Sequence, residues 1–324
     1  MSDGTQLRLV EAVTQALDEE LARDDDVIVY GEDVGIDGGV FRATQGLIEE
    51  HPEQVHDSPL AEAGIVGLGV GLAATGFRPV PEIQFQSFLY QGFHQLQQHA
   101  SRLRSRSRGT LSCPMTIRTP YGGGIRALEH HSDSYEAGFA HIPGLKVVIP
   151  STPADTKGLL TAAIRDPDPV VFMEPTRIYR AFREPVPDGE HVVSLGEAAV
   201  RRTGDELTVV SWGSMVREAI DAVDETGVSA DVIDLRTISP MDTDAVVASV
   251  EKTGRCVVVH EASRTAGMAA EIVARITDEA FLYLEAPVER VTGYDVPVPM
   301  FAREEAYLPN SDRIATAIER TVGF

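Results

Sequence analysis

PLAEAGIVGLGVGLAATGFRPVPEIQFQSF, residues 59–88, sets one carboxylate, Glu62, at the mouth of a long run of small uncharged residues. Gly64, Gly67, Gly69 and Gly71 fall inside what otherwise reads as a helix. Each costs about 1 kcal/mol relative to Ala in a helix interior, so local propensity opposes this helix. Only close packing of its backbone against another element offsets that cost. Ala63, Gly67 and Gly71 recur at a spacing of four and share one face, which is therefore the expected contact face. A carboxylate at the tip of such a helix is a candidate functional group, because burying its charge unpaired costs several kcal/mol.

On either side of this stretch, short apolar strands alternate with helical patterns. Leu7 to Ala22 has helical periodicity, 27–30 reads as a strand ending in the turn GEDVG, and 78–84 as a strand followed by a helix through Arg108. Strands are expected at 115–118, 146–149 and 170–173, with a helix from Asp155 to Arg165 opened by Ser-Thr-Pro. REPVPDGE, 183–190, is polar and rich in Pro and Gly, the best candidate boundary. The pattern then restarts, with strands at 207–211, 231–234 and 256–260 and helices at 215–225, 242–252 and 267–280. Strands alternating with helices predict two α/β domains, each built on a parallel sheet covered on both faces.

The 324 residues suffice for two full cores. No apolar run reaches the ~18 residues of a membrane span, and the N-terminus lacks the basic and apolar regions of a secretory signal. A cytoplasmic location is expected. Cys113 and Cys256 are too few and too isolated for a metal cluster or a disulfide framework, and read as two buried thiols. The formal charge is −22, with lysine only at 146, 157 and 252. So acidic a chain repels phosphate backbones, which excludes nucleic-acid binding. Adaptation to a salty cytoplasm explains the global excess; an acidic docking patch for a basic partner is compatible with it.

Three further patterns carry possible chemistry. Gly67-x-Gly69 sits inside a helix rather than at a strand-to-helix turn, so it reads as helix packing, not dinucleotide binding. Glu129-His130-His131-Ser-Asp133 follows the triple glycine 122–124. The glycines suggest a flexible approach to a ligand. On an extended chain the two adjacent histidines face opposite ways, and no metal-ligand spacing is present. One functional histidine and a satisfied structural one both remain open here. No Gly-x-Ser-x-Gly elbow occurs, which disfavours a hydrolase triad. Phe85, Phe88 and Phe93 read first as core, with a packing wall for a planar ligand as the second reading.

Taken together, GEDVGIDGGVFRATQGL at 31–47, SPLAEAGIVGLGVGLAATGFRPVPEIQF at 58–85, the stretch 131–175, VIDLRTISPMD at 232–242, VVVHEA at 257–262 and LEAPVERVTGYDVPVP at 284–299 are in the order of a known family. The chain resembles, over nearly its whole length, the beta subunit of the 2-oxo acid dehydrogenase component of pyruvate and branched-chain dehydrogenase complexes. The resemblance implies a transketolase-like fold, with a thiamine pyrimidine-binding domain at 1–186 and a transketolase C-terminal domain at 187–324. It implies an alpha2-beta2 tetramer holding thiamine diphosphate at alpha–beta interfaces. No Gly-Asp-Gly occurs in this chain; in the family that magnesium-diphosphate motif belongs to the alpha subunit. The chain is then expected to hold half a site and to be inactive alone. The acetoin dehydrogenase beta subunit and half of a split transketolase are the alternative relatives.

The same resemblance assigns residues. Glu62 takes the position of the carboxyl bonded to the distal pyrimidine nitrogen, where a low dielectric favours sharing a proton. Phe88 matches the aromatic packed on the pyrimidine ring. His131 matches the family's active-site histidine, serving decarboxylation intermediates or acyl transfer to lipoamide. Asp133 stands where Gln is commoner and is expected to raise the proton affinity of His131. Met115, Thr116, Ala163, Asp166 and Asp168 match a potassium site made largely of main-chain carbonyls, against which stands an ordinary polar turn. Glu285, Glu289 and the carboxylate of Phe324 match the acidic face that docks on the basic subunit-binding domain of the lipoyl acyltransferase core.

Overall fold

Six strands pair in parallel in the order Lys146–Val148, Val170–Pro175, Thr116–Tyr121, Arg78–Glu82, Val27–Gly31, Val55–Asp57. The computed structural model describes residues 4–324. Thr116–Tyr121 and Val170–Pro175 are buried at every position rather than at alternate ones, as strands covered on both faces must be. Helix Leu9–Arg23 lies against helix Pro153–Arg165. Their apolar positions, Leu9, Val13, Leu17, Leu159, Leu160 and Ile164 among them, join Val27, Val29, Val170 and Phe172 in one core. The second helix starts as its sequence predicts. Pro153 occupies the first turn and the Thr152 side chain accepts the Asp155 N–H.

Charge is buried at the centre of this sheet. The Arg118 guanidinium donates to Glu82 at 2.8 Å and to both oxygens of Glu174 at 2.7 and 3.1 Å. The Tyr179 hydroxyl donates to the same Glu174. Arg118 and Glu174 have no exposed surface.

The glycine-rich helix runs from Glu62 to Ala74, and its closest contact within the chain falls at Gly69. A Cβ on Gly69 would meet the Tyr30 hydroxyl at 2.8 Å and the Met115 sulfur still closer. Ala63 and Gly71, on the expected contact face, are exposed, and nothing lies within 4 Å of a Cβ built on Gly71. Within the chain the closest approach is therefore at Gly69; Gly67 faces Gln95, whose Cδ would lie 3.6 Å from an added Cβ, while Ala63 and Gly71 lie open. The long helix expected after strand Arg78–Glu82 is also absent. The chain instead runs through 3-10 turns at Gln86–Gly92 and Ala100–Arg102 and short helices at Phe93–Gln98 and Leu103–Arg106. It breaks where Gly92 presses on Val66, whose Cγ2 would lie 2.7 Å from an added Cβ.

A second sheet orders as Glu289–Gly293, Cys256–Ser263, Leu207–Ser211, Ala230–Asp234, Ala199–Arg202. Its first four strands are parallel, and Ala199–Arg202 adds an antiparallel edge that the alternation did not foreshadow. Helices Met215–Thr226 and Ser311–Val322 pack together over Val209, Val232, Val257 and Val259. Thr243–Thr253 and Met268–Ala280 form a second packed pair.

Backbone contacts divide the chain into two units, one running to Tyr121 and resuming at Gly138–Leu195, the other comprising Gly122–Ala137 and Gly196–Phe324. The cut expected at 186/187 thus falls nine residues early. The segment read as a linker contains strand Glu184–Pro187, which pairs antiparallel with Gly4–Leu7 of the first unit. Buried Lys157 ties it down, donating to Glu19 and to the carbonyls of Pro187 and Gly189. The stretch 122–137, carrying His131, belongs with the second unit.

Candidate active site

Glu62 opens its helix a few residues beyond the end of strand Val55–Asp57, the carboxyl end at which parallel sheets bind ligands. It is 7% exposed, and its Oε2 has no hydrogen-bond partner among the described residues. The helix N-terminus favours a negative charge there. Glu32, just past strand Val27–Gly31, is close enough to feel it. The Glu32 carboxyl is raised above its ordinary range by burial first, then by Asp33 and Glu62. Phe88 lies in the 3-10 turn after strand Arg78–Glu82, half-buried and edge-on to Phe85 at 5.8 Å. Phe85 in turn meets Phe41 edge-on at 5.4 Å. Phe85 is core, as the first reading has it, and Phe88 stands on it. Gln86, between them, is 1% exposed with neither amide atom partnered among the described residues. Sequence reasoning missed it, because nothing in a polar turn announces a buried glutamine.

His131 sits in the second unit, at the end of a 3-10 turn spanning Glu129–His131. Its ring centroid lies 4.2 Å from that of His130, so the two histidines do not face opposite ways; the tight turn brings them together. The imidazole is shifted down from its ordinary value, by burial first and then by His130, with Glu129 opposing. The net shift is downward, opposite to the rise expected beside Asp133. A downward shift leaves His131 neutral at neutral pH, able to accept a proton.

The loop holding this turn is built from backbone bonds. Gly122 N–H donates to the Asp133 carbonyl at 3.0 Å and closes its base. Gly123 N–H donates to Glu261 Oε2 at 2.9 Å, and the Gly124 and Arg126 N–H groups donate to the two oxygens of Glu304, each at 2.8 Å. Beside it, Glu136 is fully buried and pushed up to about 7 by burial first, with Glu261 adding. His260 is likewise buried, pushed down to about 3, and stacked on Trp212 at 5.4 Å.

Glu136 makes a pH prediction. Its folded pKa lies above the carboxylate value, so the folded chain keeps a proton that the unfolded chain releases between about pH 4.5 and 7. Stability contributed by the neutral form is present below that window and lost as pH rises through it. Glu136→Gln cannot titrate. Between pH 5 and 8 its stability should gain on the parent chain by roughly 2–3 kcal/mol, read by denaturant unfolding. A difference that stays constant across that range would refute the assignment.

The residues matched to potassium are largely engaged. The Met115 carbonyl accepts Val170 N–H at 2.9 Å and the Ala163 carbonyl accepts Asp166 N–H at 3.1 Å. The Asp166 carboxylate is paired with Lys146 and the Asp168 carboxylate with Arg104. The Thr116 hydroxyl is buried without a partner among the described residues. No group of three or more His, Cys, Asp or Glu suited to a metal occurs among the described residues. Of the docking acids, Glu285 pairs with Arg255 at 2.8 Å and Glu289 with Arg320 at 3.2 Å, while Phe324 is exposed. Both thiols are buried and pushed up to about 12 by burial. No helix among the described residues is long and apolar enough to cross a membrane.

Residues 5–181 match the family described as transketolase, pyrimidine binding domain, and residues 196–314 match transketolase, C-terminal domain. The pyruvate dehydrogenase E1 component subunit beta of Bacillus subtilis is 50% identical over 323 residues, covering 98% of this chain and 99% of that one. The protein of the same name from Acholeplasma laidlawii is 49% identical over 318 residues, with 97% of each chain covered. The chain belongs to this E1 beta family. A solved split-gene transketolase, described as an inactive beta4 tetramer, shares the fold with a TM-score of 0.81 at 21% identity, over 98% of this chain and 99% of that one. In this E1 beta chain, the pyrimidine-binding match contains Glu62, Gln86, Phe88 and, in sequence, His131. The C-terminal match contains Glu261, Glu285, Glu289 and Glu304, and ends before Phe324. The split seen in the contacts differs at one place, the E1 beta segment 122–137.

Proposed function

We propose that the chain is the beta half of a thiamine diphosphate-dependent pyruvate dehydrogenase E1 component, decarboxylating its 2-oxo acid and acylating lipoamide together with an alpha subunit. The observation that carries this is Glu62, a buried carboxylate with an oxygen that the chain leaves unpartnered, at the ligand-binding end of a pyrimidine-binding domain. Burying that atom without a partner is costly, and a pyrimidine ring nitrogen is the complement it lacks. When bound, thiamine diphosphate supplies an acidic ring carbon whose adjacent positive charge takes up the electron pair released with carbon dioxide. Glu62 would hold the cofactor by a hydrogen bond between its carboxyl group and the pyrimidine ring. Phe88, propped on Phe85, gives the ring an apolar wall. His131, neutral at working pH, moves a proton at its imidazole nitrogen during decarboxylation or acyl transfer.

The magnesium diphosphate end falls to the alpha subunit, since this chain has no Gly-Asp-Gly. The Thr116 hydroxyl suits an oxygen-ligated potassium ion, with Met115 and Ala163 offering the second lone pairs of their carbonyls. Glu285 and Glu289 remain able to receive a basic acyltransferase domain, because exposed pairs such as theirs with Arg255 and Arg320 are worth little and exchange readily. Soluble work in the cytoplasm follows from the E1 reading.

The test is to copurify the chain with its alpha subunit and assay lipoyl acylation over pyruvate, branched-chain 2-oxo acids, acetoin and a ketol donor. The pair should require thiamine diphosphate and prefer pyruvate over the branched acids by at least about tenfold. Ketol transfer or acetoin cleavage as the main activity, or turnover by the beta chain alone, would overturn the proposal.

A further inference from the structure

We propose that Glu261 and Glu304 are positioning residues that hold the His131 loop in its working shape; this rests on the reading of His131 as the proton-handling group. The two carboxylates belong to different elements. Glu261 lies on strand Cys256–Ser263 and Glu304 opens the short helix Glu304–Tyr307. Both are buried, at 5% and 2% exposure. Burying an anion is tolerated only where hydrogen bonds satisfy it. For Glu304 the loop backbone does so, Gly124 N–H on Oε1 and Arg126 N–H on Oε2. Glu261 takes Gly123 N–H on Oε2 and the Ser214 hydroxyl on Oε1, at 2.9 Å each. Such charge-assisted bonds are short, directional and roughly twice as strong as neutral ones. Three of them within four residues fix the peptide planes of 123–126.

The glycines are shaped for this contact. Gly122 has φ +84°, and a Cβ on it would lie 2.7 Å from Glu261 Oε2. A Cβ on Gly123 would meet Glu304 Oε1 at 3.2 Å. Gly124 is also left-handed, and Arg126 holds φ +56°, a conformation a non-glycine residue adopts only when its surroundings impose it. The triple glycine read from sequence as flexible is therefore a close-approach surface for carboxylates. From Arg126 the chain runs five residues to His131, and two residues later the Asp133 carbonyl is tied back to Gly122 N–H. The histidine is thus held in a loop anchored at both ends, and the carboxylates supply the N-terminal anchor.

The experiment is a double-mutant cycle in the assembled alpha–beta complex, with Glu304→Gln, His131→Ala and the pair. Glutamine keeps one acceptor and turns an amide N–H2 toward a backbone N–H. Glu304→Gln should lower kcat for lipoyl acylation by on the order of 10- to 100-fold, leave KM for the 2-oxo acid nearly unchanged, and shift the acidic limb of the kcat/KM pH profile. Added to His131→Ala, it should cost nothing further, because the group it positions is gone. Losses that multiply, or full activity in Glu304→Gln beside a crippled His131→Ala, would overturn the positioning role alone. Full activity in His131→Ala would instead overturn the reading of His131, and this inference with it. If Glu304→Gln does not assemble, Glu261→Gln carries the same cycle and the same outcomes.

Discussion

Glu62→Gln should assemble with its alpha partner as the parent does and lose about 10²–10³-fold in turnover. The two side chains are nearly the same size, and Glu62 is 7% exposed, so the packing of its helix is preserved. Its Oε2 makes no hydrogen bond among the described residues, so the substitution breaks none there. With no hydrogen bond of Oε2 to lose there, the isolated chain should keep its stability or gain slightly. The amide cannot pass a proton to or from a ring nitrogen, and that is the whole of the expected loss. Assembly by sizing chromatography and turnover of the same preparation check it. Parent-level turnover in an assembled Glu62→Gln complex would leave the carboxylate without a role.

The largest loss of stability should come from Arg118→Met. The guanidinium is fully buried and supplies three hydrogen bonds to Glu82 and Glu174. Methionine fills similar space but leaves two buried carboxylates facing each other. Breaking a buried ion pair from one side costs about 3–5 kcal/mol, a large share of a typical domain's net stability. Burial, opposed by Arg118, already raises Glu82. Without Arg118 the opposing pull on Glu82 is gone and its carboxyl rises further, so the variant should be least stable at high pH and recover as pH falls. A triple variant, Arg118→Met with Glu82→Gln and Glu174→Gln, should regain most of the loss. Denaturant midpoints across pH measure both effects, and an Arg118→Met chain within about 1 kcal/mol of the parent would contradict them.

The strands were legible because burial on both faces writes itself as unbroken runs such as VIVY and VVFM. The helices at 9–23 and 153–165 were legible because their apolar spacing and caps agree. The glycine-rich helix was read correctly as a helix, but its close contact within the chain, at Gly69, was not foreseen. Spacing shows which residues share a side, and the bulky Met115 and Tyr30 that meet Gly69 come from distant strands. The region after Gln86 failed for the same reason, since Gly92 is placed by Val66 rather than by its neighbours in sequence. Glu62 was singled out by its place at the tip of the glycine run, and the family resemblance gave it, Phe88 and His131 their expected roles. Glu304 was out of reach. It stands beside Glu305 in an acidic pair typical of a helix start, yet one is 2% exposed and the other's side chain 79%. Only the tertiary path of a glycine loop from far upstream separates them.

That path has a consequence for anyone recombining relatives of this protein. A crossover at 195/196 looks clean by sequence, since it lies between the two family matches. It would nonetheless take 122–137 from one parent and its carboxylate anchors from the other. Hybrids made there should express and fold yet work poorly whenever the parents differ at those contacts. Moving 122–137 along with the C-terminal portion, as a two-piece graft, is the exchange that respects how the molecule is built.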